Sequence, residues 1–207
     1  MKFEKIHNKG QAKLFESQYM EMLTKTHPLV IWGMYSPVIA IMLFVSHIKF
    51  GYSLVYIALI FGSGMLFWTF FEYLLHRFIF HYEPNSEFGK KMHFIFHGVH
   101  HDYPRDKKRL VMPPSASIPL AALFYFLFSL VLEKELLFAF FPGFILGYLV
   151  YDMLHYAMHH HNFKSGILKR IKQHHMLHHY QDESKGYGVS SSLWDIVLKS
   201  DFPKKTK

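Results

Sequence analysis

His93-Phe-Ile-Phe-His97-Gly-Val-His100-His101 carries four imidazoles in nine residues. On a helix, positions 97, 100 and 101 stand as i, i+3 and i+4, so three rings share one face. His93 lies one turn back, at the edge of the same stripe. Imidazole is a neutral nitrogen donor near pH 7 and the commonest metal-ligating side chain. The pattern recurs along the chain. His76 and His81 are five apart, His155, His159, His160 and His161 form another run, and His174, His175, His178 and His179 form a fourth. Of the 17 histidines, 14 fall in these four clusters. Clustered ligands at fixed helical offsets mark a metal site, not scattered surface histidine.

Outward from this stretch, the composition is that of a membrane protein. The chain has 207 residues, 51% of them hydrophobic and 18% aromatic, with 22 Phe and 13 Tyr. Mean hydropathy is only slightly positive, because the apolar residues stand in blocks and the rest is basic. There is no cysteine, which excludes disulfides, thiolate ligation and an iron–sulfur cluster. Any metal must be held by nitrogen and oxygen.

Residues 1–26 are polar with scattered Leu14, Phe15, Tyr19, Met22 and Leu23. They read equally as a helix lying on a membrane surface or as a solvated arm. The arm is charged and lacks the apolar segment of a signal peptide. Four apolar runs follow, at about 28–46, 52–75, 115–132 and 136–155, near the ~20 residues that a span needs. Pro37 is expected to kink the first. Glu72 is the only charge in the second, and Pro119 sits near the start of the third, where proline is tolerated. Residues 76–112 and 156–207 form a polar, histidine-rich cap.

Four buried helices of a soluble bundle are the competing interpretation, and two features oppose it. The runs are apolar on all faces, where a bundle helix would show a stripe. Charge is also lopsided. Of 23 Lys and Arg, 21 fall in the N-terminal arm, the segment 77–109 and the C-terminal tail, and only Lys49 and Lys134 fall in the two short turns. Four spans put the three basic segments on one side, which the positive-inside rule makes cytoplasmic, with both termini. The same topology gathers all four histidine clusters there. The expected fold is therefore an all-α integral membrane protein: four transmembrane helices with a cytosolic, helical, histidine-rich cap, in a single domain over 1–207. Topology and anionic head groups account for the +8 net charge, so no nucleic-acid partner is expected.

Ten histidines are well placed as ligands: His76, His81, His97, His100, His101, His155, His159, His175, His178 and His179. A first-row metal takes four to six ligands, so ten imply two metals. All-imidazole ligation suits zinc, copper, iron or nickel. His76 and His81 cannot share a face of a regular helix, so a helix end or distortion is expected between them. Glu72, Asp102 and Asp152 are the carboxylates expected to hydrogen-bond the ligand rings from behind, with His93, His160 and His174 as further partners. A zinc transporter would place ligands near the bilayer midplane, and these spans are almost free of them.

The motifs His76-RFIF-His81, His97-GV-His100-His101, His155-YAM-His159-His160 and His175-ML-His178-His179 resemble those of the fatty acid hydroxylase (sterol desaturase) superfamily. The segments 97–114, 147–160 and 174–195 look most like the fatty acid 2-hydroxylases. The resemblance covers about 60–200. It implies a single fatty acid hydroxylase domain with two iron ions, zinc being possible as purified. It also implies dioxygen as co-substrate and hydroxylation at C2 of a long acyl chain, free or within a sphingolipid. Histidine spacing alone does not separate this from sterol or carotenoid oxidation. Many eukaryotic members carry an N-terminal cytochrome b5 domain, for which 207 residues leave no room. The expected electron donor is then a separate cytochrome b5-like or ferredoxin-like protein with its reductase. Tyr148, Tyr151 and Asp152 lie near the His155 face and are the candidates for contacting the substrate head. The ligands sit at span ends and a lipid keeps its head at that interface, so the carbons nearest the head are the easiest to reach.

Overall fold

The computed structural model describes residues 6–203 apart from residue 8. Lys2, Lys5, Lys204, Lys205 and Lys207 of the charge count lie outside the described residues, as do the two ends of the expected 1–207 domain. Every regular element among the described residues is helical. A short helix α1 (Gln18–Leu23) precedes α2 (Pro28–Ile48), which has Pro28 in its first turn and the His27 ring accepting from the Leu29 N–H. Gly51, at φ +71°, turns the chain, because only glycine adopts that conformation without strain. Ser53 then caps α3 (Leu54–Leu75), satisfying one of the free N–H groups at its start.

α3 continues into a π-helical turn, His76–Phe80. After α4 (Glu87–His93), capped by Ser86, a second π turn (Phe94–Gly98) leads into α5 (Val99–Asp102). Next come α6 (Pro114–Ser129), α7 (Lys134–His160), α8 (Gly166–Tyr180) and α9 (Leu193–Val197).

Among the described residues, three helices are long and apolar enough to cross a membrane: α2, α3 with its π turn, and α7. The run expected as the third span forms a helix of 16 residues, ~24 Å at 1.5 Å per residue. That is shorter than the ~30 Å hydrocarbon layer. The apolar stretch does not end there: Leu130 and Val131 continue it as exposed, non-helical chain. Apolarity alone does not tell helix from apolar turn. α7 differs in the other direction, running beyond the expected end at 155 to His160.

α7 is the central element. It packs parallel to α3, since successive neighbours advance together: Phe61 with Gly143, Gly64 with Phe144, Trp68 with Gly147 and Tyr151. It packs antiparallel to α2, through Tyr35 with Tyr148 and, in the turn just past the end of α2, Phe50 with Phe138. Its contacts with α6 are also antiparallel, through Phe128 with Phe140 and Phe124 with Phe144. Gly64 and Gly143 permit the α3–α7 approach. A Cβ on Gly143 would overlap the Phe61 carbonyl, and one on Gly64 the Phe140 carbonyl, the close backbone packing that small residues give membrane helices. Phe144, Leu137 and Leu149 are fully buried there, while Leu29, Ile41, Phe44, Leu59 and Leu66 face outward. Because α3 and α7 are parallel, both end in histidines on the same side.

Candidate metal centre

The structure brings the ten histidines into two groups of five. His76, His81, His97, His101 and His178 form one, and His100, His155, His159, His175 and His179 the other. Within each group the facing nitrogens all lie within 4.8 Å of one another. In the first group, His81 Nε2 is 3.0 Å from those of His97 and His178 and 3.3 Å from that of His76. In the second, His100 Nε2 is 2.9 Å from that of His155 and 3.0 Å from that of His179, and His159 lies 3.0 Å from His175. The groups adjoin: the His101 and His179 rings stack at 4.3 Å.

Local geometry explains how each ring arrives. The π turn closes through the His81 N–H on the His76 carbonyl. One extra residue in the turn lets positions five apart face the same way, which is the distortion the 76–81 spacing required. The second π turn, ending beside His97, has no such signature in the sequence. His97, His100 and His101 do not act as one face. His97 and His101 go to the first group and His100 to the second, and in α8 His178 goes to the first and His175 and His179 to the second.

The residues fit a metal. His76 Nδ1 lies 2.5 Å from the Tyr187 carbonyl and His178 Nδ1 2.7 Å from that of Lys185. A carbonyl only accepts, so these Nδ1 atoms carry the hydrogen and their Nε2 atoms present lone pairs inward. Inward lone pairs on neutral rings, crowded at hydrogen-bonding distance, form a socket for a cation. The rings are held neutral. Burial, reinforced by neighbouring imidazoles, keeps His97, His100, His101, His175 and His179 well below the usual imidazole range. Burial and His76 bring His178 down to about 3.

The partners behind the rings differ from the expected carboxylates. Backbone carbonyls do this work at His76 and His178, and the backbone of Leu110 backs His155. Glu72 does not bond His76 but accepts the N–H groups of Val189 and Ser190. His174 bonds Asp195. His93 bonds the backbone of Phe80 and borders a cavity, and His160 lies against the tilted ring of Tyr156 outside both groups. The Asp102 carbonyl accepts the His7 N–H, and burial raises its carboxyl above the ordinary range. Asp195 was not anticipated. The only hint in the sequence is an acid set among Leu193, Trp194, Ile196 and Val197.

A cavity of about 880 Å³ opens beside both groups. His97 of the first group and His100 and His155 of the second reach its wall, with Tyr151 and Asp152 beside them. Leu75, Ile79, Leu120 and Leu123 make its apolar flank. Tyr148 points elsewhere, into the packing of Tyr35 and Trp68. Leu14, Phe15 and Leu23 close one side. They are strapped there by Glu21, which takes the N–H groups of Leu14 and Phe15 and pairs with Lys25 and the buried Arg109. Burial opposes ionisation of Glu21, but these partners prevail and hold its carboxyl at about 2.

Comparison with known proteins agrees with this geometry. A family model described as fatty acid hydroxylase matches residues 61–200. Dihydroceramide fatty acyl 2-hydroxylase FAH1 of Arabidopsis thaliana is 38% identical over 193 residues, covering 93% of this chain and 81% of that protein. Fatty acid 2-hydroxylase of Mus musculus is 41% identical over 149 residues, 70% of this chain and 40% of that one. A solved structure titled full length scs7p, with only the hydroxylase domain visible, superposes with a TM-score of 0.88 at 35% identity. The match covers 96% of this chain and 75% of that one.

Proposed function

The chain belongs to the fatty acid hydroxylase family, and from that premise we propose that it hydroxylates C2 of a long acyl chain, free or in a sphingolipid. It uses two irons, dioxygen and electrons from a separate donor protein. The balance is one C–H bond, one dioxygen, two electrons and two protons giving one alcohol and one water. The cavity carries this proposal: it is apolar, large enough for a lipid tail, and bounded by histidines of both groups.

The ten histidines are the proposed ligands, five to each iron. Bound there, the irons supply dioxygen activation and the oxidation of the C–H bond. Everything else falls to the chain. Leu75, Ile79, Leu120 and Leu123 hold the tail, and burying it favours binding by ~0.8 kcal/mol per CH₂. Tyr151 and Asp152 stand at the histidine end of the cavity, where they contact the head of the lipid and set which carbon lies nearest His100 and His155. Tyr148 contributes by packing. The strap of residues 14–24 excludes water from the cavity, which keeps competing reactions out.

The proposed topology has four crossings in a single domain over 1–207, with the metal centre cytoplasmic. Parallel α3 and α7 require the chain to return between them, and α6 with residues 130–133 makes that return. The basic segments lie on the histidine side, the cytoplasmic side by the positive-inside rule.

The test is expression in cells that lack 2-hydroxylated lipids, with fragmentation mass spectrometry to locate the new hydroxyl. A hydroxyl at C2 is expected, abolished together with metal in His100→Ala and His178→Ala and retained in His7→Ala and His47→Ala. A hydroxyl at mid-chain or at the terminal methyl overturns the proposed substrate pose.

A further inference from the structure

Between α8 and α9 the chain makes an irregular loop, 185–190, on which two ligand rings lean. His178 donates to the Lys185 carbonyl and His76 to the Tyr187 carbonyl. Both rings belong to the same group of five. The loop is itself fixed by two buried carboxylates. Asp195, fully buried, accepts from the N–H of Tyr187 at 2.9 Å, the N–H of Gly188 at 2.7 Å and the Ser200 hydroxyl at 2.8 Å. It also receives His174 at 3.1 Å. Glu72 takes the N–H of Val189 at 3.2 Å and of Ser190 at 2.7 Å. Four consecutive amides thus end on two acids.

One connection is direct. The peptide group joining Tyr187 to Gly188 gives its N–H to Asp195 and its C=O to His76. A single peptide unit links a buried anion to the ring of a proposed metal ligand. Hydrogen bonds in such a chain polarise one another, so the charge on Asp195 makes the Tyr187 carbonyl a better acceptor and His76 a more basic donor to metal. His178 is tied in one step further away: the Gly186 N–H, in the peptide group of the Lys185 carbonyl, donates to the Ser200 carbonyl, and the Ser200 hydroxyl to Asp195. No ring of the second group bonds this loop among the described contacts. The sequence is fitted to the arrangement, since a Cβ on Gly188 would run into the Ser191 carbonyl and Asp195.

We infer that Asp195, with Glu72 behind it, is a positioning residue for one metal only, the one held by His76, His81, His97, His101 and His178. This rests on the two-metal proposal above. The experiment is metal analysis and chelator-release kinetics on the purified full chain, comparing wild type with Asp195→Asn and Glu72→Gln. Both substitutions keep shape; the first removes the buried anion and the second replaces a carboxyl oxygen pair with an amide. Partners behind ligands are worth roughly 10–100-fold in metal affinity, so one metal should leave about tenfold faster or more, while the second keeps its wild-type rate. Retention of both metals at wild-type rates, or loss of both together, overturns the inference. If Asp195→Asn does not fold, Glu72→Gln carries the test alone. A wild-type chain holding fewer than two metals instead defeats the two-metal proposal itself.

Discussion

His100 and His101 are neighbours in the chain, yet each serves a different group of five. Consecutive side chains on a helix diverge by ~100°, so a short helix laid between two sockets supplies both from adjacent positions. The cost is a dense cluster of buried rings that must stay neutral, which fixes the response to acid. Folding holds His97, His100, His101, His175 and His179 well below the ordinary range, and His178 at about 3. Below ~6.5 the unfolded chain takes up protons that the folded chain refuses, so stability is lost as pH falls from there. Metal binding weakens in the same direction, because protons compete for the same nitrogens. Thermal unfolding in detergent should therefore shift to lower temperature between pH 7.5 and 5.5, with more metal lost to a chelator. A melting temperature independent of pH over that interval would contradict the burial of these rings.

At the scale of elements, the metal centre depends on the α3–α7 pair. The ends of both helices carry ligands, so the crossing of their backbones sets where His76, His155 and His159 stand. Gly143 against Phe61 is the tightest point of that crossing. Gly143→Ala should push the helices apart and cost ~1–3 kcal/mol, as overpacking does. It should also reduce bound metal, although the residue lies far along α7 from the ligands. Gly33, in α2, has nothing near a built Cβ, so Gly33→Ala should be neutral or stabilising. If the two variants melt alike in detergent, the close packing of α3 and α7 is not what supports the site.

The whole molecule is organised by sidedness. The two ligand-bearing helices are parallel, so a membrane crossed by both would have to be crossed again between them, where the chain has the short α6. The absence of cysteine makes this directly testable with single introduced thiols. Lys49→Cys and Lys134→Cys should react with an impermeant maleimide from one face of sealed membranes. Lys90→Cys and Lys164→Cys should react only from the opposite face. Labelling of Lys90→Cys together with Lys134→Cys would mean that α6 does not carry the chain across.

The sequence by itself determined the helical class, the apolar runs and the clustering of the histidines, because these properties depend on residues close together in the chain. Histidine spacing repeated at 97, 100 and 101 and again at 175, 178 and 179 is local information. So is the five-residue gap from His76 to His81, which signalled a distorted turn that the structure supplies as a π turn. Only the tertiary structure decided how the ten rings divide, since His81 meets His178 and His100 meets His155 across many intervening residues. The partners behind the rings were equally hidden. The sequence offered carboxylates such as Glu72 beside the motifs, but the groups that back His76 and His178 are backbone carbonyls, which every residue has and no composition reveals. Asp195 matters because a loop folds over it and buries four donors on one anion, a consequence of packing that no spacing encodes.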